Sequence, residues 1–128
     1  MKLRAAKNIL IAFGIMSLSG LAVANDDYKD AAKAFDALYQ NDYVAASKVW
    51  QKLANKGHPD AQFNLGLMYH SGAAGVFNEK QALKWYMKAA EAGNYQAQQY
   101  LTVGYREGWF GLKKSETKAK HWEARLNP

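Results

Sequence analysis

The chain of 128 residues contains no cysteine, so no disulfide can staple it and packing alone must hold the fold. It has no low-complexity run and no linker, which limits it to one domain. Its three histidines, His58, His70 and His121, lie far apart with no partner four residues on, so the helical metal-ligand pair is missing. No Gly-x-x-x-x-Gly-Lys-Ser/Thr run is present to cradle a phosphate. His70-Ser71 sets a base beside a hydroxyl, but adjacent helical residues point apart and no nucleophile-elbow sequence surrounds Ser71. The carboxylates are scattered rather than paired in apolar surroundings. These absences describe a non-enzyme that calls for no cofactor and no metal.

The net charge is +6, and half of it sits at the start. Lys2, Arg4 and Lys7 precede an apolar run from Ile9 to Leu21, and Ala22-Val23-Ala24 follows with the small-residue pattern of a secretory cleavage site. That run is shorter than the ~20 residues a membrane-spanning helix needs. Residues 1–24 therefore read as a signal peptide cleaved after Ala24, and no cysteine follows to carry a lipid. The expected destination is a bacterial periplasm or the cell exterior. The remaining 25–128 carry 14 Lys and Arg against 11 Asp and Glu, a net of +3, too mild to indicate nucleic acid as a partner.

What the chain does contain is a repeat. From Ala61 to Gly93, Ala61, Leu65, Met68 and Tyr69 keep helical spacing, and so do Ala82, Trp85, Tyr86, Ala89 and Ala90. His70-Ser71-Gly72-Ala73-Ala74-Gly75 breaks the pattern between them, because glycine supplies the positive φ that ends a helix. A shift of 36 residues places Ala61 on Ala97, Leu65 on Leu101, Tyr69 on Tyr105, Gly72 on Gly108 and Gly75 on Gly111. A shift of 37 places Ala82 on Ala119 and Trp85 on Trp122. Backward by 36, Gly57 answers Gly93, Ala54 answers Ala90, Trp50 answers Tyr86 and Ala46 answers Ala82. An offset of 30 sets Ala31 on Ala61, Phe35 on Leu65 and Tyr39 on Tyr69. Three tandem helical hairpins are the organising fact.

Ala61-x3-Leu65-Gly66-x2-Tyr69-x2-Gly72, then Gly75-Val76, then Lys84-Trp85-Tyr86-x-Lys88-Ala89-Ala90-Glu91-x-Gly93 resembles a Sel1-like repeat, a relative of the tetratricopeptide repeat. The resemblance covers nearly all of the chain after residue 27. The turn here is Gly-x-x-Gly, where that family more often has Gly-x-Gly. The implied fold is all-α: a right-handed α-solenoid of three helix-turn-helix repeats, about six helices in all. The repeat domain is 25–128, with units at about 27–57, 58–93 and 94–126.

Local signals place the helices. Asn25, Asp26 and Asp27 suit the start of a first helix running to Gln40. Asn41-Asp42 turns the chain and caps Tyr43 to Lys56, Pro59 suits a first helical position, Asn94 caps Tyr95 to Arg106, and Ser115-Glu116 opens the last helix. Tyr39, Trp50, Tyr69, Trp85, Tyr105 and Trp122 fall on core positions. Phe63 and the turn aromatics Trp109 and Phe110 fall off them and read as interface candidates. Close helix approach is inferred at Gly66.

Stacked hairpins turn their first helices to a concave side. With Leu65, Gly66 and Tyr69 packed inward, that side falls on Asp30, Lys33, Ala37 and Gln40, on Phe63, Leu67 and His70, and on Gln96, Gln99, Val103 and Arg106. This mix suits a peptide or helix of another protein. Lys48, Lys52, Lys84, Lys88 and Lys120 recur one unit apart on the convex side and offer a seat for a phospholipid leaflet or an acidic partner. No evident polar capping helix closes the array, which leaves an end open to self-association. The resemblance implies a periplasmic protein-interaction module, an adaptor or regulator. Two alternatives are an immunity protein that neutralises a secreted toxic effector, and a cell-wall or β-lactam hydrolase of the kind ascribed to cysteine-rich relatives. The missing cysteines weigh against the last.

Overall fold

The computed structural model of the chain describes residues 25–128. The signal-peptide reading of 1–24 lies outside the described residues. Among these there are six α-helices and no strand: α1 (Asn25–Tyr39), α2 (Tyr43–Asn55), α3 (Pro59–Ser71), α4 (Glu79–Glu91), α5 (Tyr95–Glu107) and α6 (Glu116–Leu126). A short 3-10 turn, Trp109–Gly111, stands between the last two. The main contacts run from each helix to the next in chain order, so the six pack in tandem as a helical repeat solenoid.

The repeat is built into the caps. Each second helix opens on a polar side chain that accepts from a backbone N–H three residues on: Asp42 from Ala45 at 3.0 Å, Asn78 from Gln81 at 3.0 Å and Ser115 from Lys118 at 3.3 Å. Such caps contribute about 1 kcal/mol each. Asn94 caps α5 in the same way, accepting from Ala97 at 2.8 Å. In the two longer turns Gly72 and Gly108 end their helices in the left-handed region, at φ 65° and 78°. The chain then crosses back so that the Asn78 N–H donates to the Tyr69 carbonyl at 2.9 Å and that of Ser115 to Tyr105 at 2.8 Å.

Between units the same polar bond recurs. Gln62 donates from Nε2 to the Ala54 carbonyl at 3.3 Å, and Gln98 to that of Ala90 at 3.0 Å. Each ties a first helix to the end of the preceding second helix, whose last carbonyls lack helical partners. Alanines 31, 34, 46, 61, 82, 89, 90, 97 and 119 are almost wholly buried and bring the helices close, while Trp50, Leu53, Tyr86 and Leu101 fill the space between. Among the described glycines the tightest surroundings are at Gly66, where a Cβ would stand 2.6 Å from the Tyr86 ring and 3.3 Å from the Ala82 carbonyl.

α1 is fastened by charge as well as by packing. Asp27 pairs with Lys56 and with His58, whose Nε2 lies 2.9 Å away, and Lys52 reaches Asp30 at 2.5 Å. The Lys56 ammonium, and after it His58, hold the Asp27 carboxyl below the usual carboxylate range.

Two expectations change at the ends. Tyr39, expected in the core, is 84% exposed. Its counterpart Tyr105 is buried and Tyr69, also expected in the core, is half-buried, but α1 begins the described array and leaves that face open, with Tyr28 and Ala32 exposed too. The other end does have a polar cap. α6 buries only Ala119 and Trp122 and presents Glu116, Thr117, Lys120 and Glu123 to solvent.

Candidate functional site

Residues from both longer units meet around the last turn. α3 contributes His70 from its final turn, α4 its first residue, Glu79, and the third unit the turn Gly108-Trp109-Phe110-Gly111; together they line an open recess of about 580 Å3. Where the second unit has Ala73-Ala74, the third has Trp109-Phe110, and the larger pair changes the surface.

Phe110 adopts a left-handed backbone, φ 57° and ψ 28°, which is uncommon for a residue with a Cβ and costs of order 1 kcal/mol. Its ring offsets that cost by packing inward. It lies 4.8 Å from His70, 5.4 Å from Tyr86 and 6.5 Å from Tyr100, centre to centre. Turning Phe110 in swings Trp109 out, and the indole is 46% exposed.

Behind this rim stands an aromatic cluster. Phe63 meets Tyr86 at 5.5 Å and Tyr100 at 5.4 Å, and Tyr86 meets Tyr100 at 5.2 Å. The Tyr86 hydroxyl lies 3.2 Å from His70 Nδ1. Burial raises the Tyr86 phenol well above its usual pKa and lowers that of the His70 imidazole, so both are neutral near pH 7. An aromatic wall thus carries at its edge one neutral imidazole and the Glu79 carboxylate, which acts on His70 through its charge and forms no ion pair among the described residues.

This geometry redistributes the residues expected on the concave side. His70 and Trp109 come together. Phe110 is buried, as are Phe63 and Leu67, at 4% and 3% exposure, and all three are packing residues rather than docking surface. The reason is that α3 lies among α2, α4 and α5, so the whole span Ala61–Met68 is buried and no outward face remains there. Lys33 pairs with Asp30, Gln40 donates to Asp36 at 2.9 Å, and Arg106 is held by Glu116 and Glu123 of α6. Gln99 is exposed, and Gln96 and Val103 half-buried, on α5.

The basic stripe also shifts. Lys48, Lys52, Lys84, Lys88 and Lys120 are all exposed, but Lys52 is engaged by Asp30 and Lys88 lies 4.7 Å over the Trp85 ring. The caps Asp42, Asn78 and Ser115 put the counterpart of Lys84 at His121 and that of Lys88 at Arg125, which sits 5.1 Å over Trp122. Lys120 is the counterpart of Leu83 instead. A smaller recess of about 350 Å3 opens between α2 and α3, lined by Lys48, Gln51, Met68, Tyr69 and Val76 among others. Among the described residues no three of His, Asp and Glu gather as a metal site would need. Sequence reasoning missed Glu79, Tyr100 and Arg125; the shift of 37 that pairs Trp85 with Trp122 would have found Arg125.

Stacked helix pairs with a repeating cap, turn and interhelix amide define an α-helical repeat protein. The Sel1 repeat model matches residues 59–94 and 97–122, which cover α3 and α4 and most of α5 and α6, and the chain is a Sel1-like repeat protein. Sel1 repeats are protein–protein interaction modules. No solved structure matches the chain.

Proposed function

We propose that this chain is a non-enzymatic protein-binding module, an adaptor or regulator of the periplasm or cell exterior, that docks its partner over the recess of His70, Glu79 and Trp109. One observation carries the reading: residues from two successive units converge on a surface recess whose back wall is a fixed aromatic cluster. An exposed tryptophan on such a support suits an interface centre, because it offers a large contact at little entropic cost. The N-terminal charge, apolar run and Ala-x-Ala pattern support export.

The test is affinity capture from the native host, with the full chain tagged at its C-terminus and Trp109→Ala beside it. A dominant co-purifying protein that disappears with Trp109→Ala, at unchanged melting temperature, is the expected result. A partner retained in full by that variant would remove the recess from the interface. The captured protein's identity also separates the readings, since a toxic effector would make this an immunity protein. Release by cell fractionation with an N-terminus at Asn25 checks export.

A further inference from the structure

We propose that the recess takes a cationic side chain, lysine or arginine, of the bound protein; this rests on the docking reading above. Its two most open groups are the Trp109 indole and the Glu79 carboxylate. A carboxylate beside an aromatic face is the pairing that recognises an organic cation, through charge and through attraction to the ring's electron-rich face. The rest of the lining adds no repulsion. Gly108 and Gly111 carry no side chain, Phe110 is apolar and the His70 imidazole is neutral.

The chain's own surface shows the aromatic half of this pairing occupied. Lys88 lies over Trp85 at 4.7 Å, Lys118 over Tyr105 at 5.2 Å and Arg125 over Trp122 at 5.1 Å. Among the described residues no cation is placed over Trp109 and Glu79 joins no ion pair, so both remain available to a partner's cation. Lys114 on the same turn has its stem beside Gly108 but does not line the recess. Phe110 lines the recess and packs against Tyr86 behind it, so the recess is closed on that side.

The experiment is a titration of the exported protein, followed at the indole N–H resonance of Trp109. N-acetyl-lysine methylamide and N-acetyl-arginine methylamide are the probes, with the norleucine analogue as a neutral match and tetramethylammonium as a quaternary headgroup. The expected result is that a lysine or arginine probe shifts Trp109 and that Glu79→Gln, at equal melting temperature, weakens binding about fivefold. An equal response to norleucine, unchanged affinity in Glu79→Gln, or a response to tetramethylammonium alone would overturn the proposal. Partner capture lost in Trp109→Ala but retained in Glu79→Gln would sink this inference and leave the docking reading standing.

Discussion

Replacing Gly66 with alanine adds a single methyl group at the tightest point of the array. That methyl would sit 2.6 Å and 2.7 Å from two Tyr86 ring carbons, inside any tolerable contact, with the Ala82 carbonyl behind at 3.3 Å. Tyr86 is the element that must yield, and it has nowhere to go. The ring is fully buried, hemmed by Phe63, Tyr100 and Phe110 at 5.2 to 5.5 Å, and its hydroxyl faces His70. Overpacking of this kind costs about 1–3 kcal/mol. Alanine's better helix propensity returns at most about 1 kcal/mol. At 2.6 Å the cost falls in the upper part of that range, about 2–3 kcal/mol, and the net loss of roughly 1–2 kcal/mol corresponds to a fall in melting temperature of about 4–15 °C for a domain of this size.

Gly104→Ala supplies the contrast. Its methyl would meet the tip of Leu112 at 3.2 Å, a flexible side chain that can turn aside, with Phe110 at an ordinary 3.7 Å. That variant should therefore melt within a few degrees of the parent, on the order of the propensity gain. Circular dichroism melts of both proteins decide the matter. A Gly66→Ala protein as stable as the parent would refute the close approach of α3 and α4, and with it the account of how Tyr86 is fixed behind the recess. Because Tyr86 carries His70 and Phe110 with it, Gly66→Ala should also move the Trp109 indole resonance, whereas Gly104→Ala should do so less.

Two further outcomes follow from the charged groups. Asp27 titrates below its ordinary value in the folded chain, so its pairing with Lys56 and His58 stabilises fully above the usual carboxylate pKa and is lost as pH falls through the lower folded value. Melting temperature measured from neutral pH downward should therefore fall more steeply for the parent than for Asp27→Asn, and parallel curves would dismiss the latch. On the convex side, Lys48→Glu with Lys84→Glu reverses two exposed charges that form no ion pair among the described residues. Partner capture should survive this change, and its loss with Trp109→Ala still binding would transfer the working face to the stripe.

The fold was legible because its signals are local and recur. Caps at Asp42, Asn78, Asn94 and Ser115, glycines at Gly72 and Gly108, and alanines at helical spacing each report on their own neighbourhood, and each helix needs little else. The site was legible only in part, because it is made between units. Glu79 sits at a cap like any other until the third unit's turn is laid beside it, and Phe63 looks outward only while α3 is imagined with a free side. One inserted residue shows how far such effects reach. Between Gly75 and Asn78 there are two residues, between Gly111 and Ser115 there are three, and the extra one turns α6 by about 100° against the count of 36. That rotation takes Lys120 out of line with Lys84 and brings Arg125 over Trp122, as Lys88 lies over Trp85. The same longer turn holds Trp109 and Phe110. The third unit therefore keeps the repeat's hydrogen bond from Ser115 to Tyr105 while packing the Phe110 ring against α3 and α4 and turning Trp109 outward, where the second unit has only alanines.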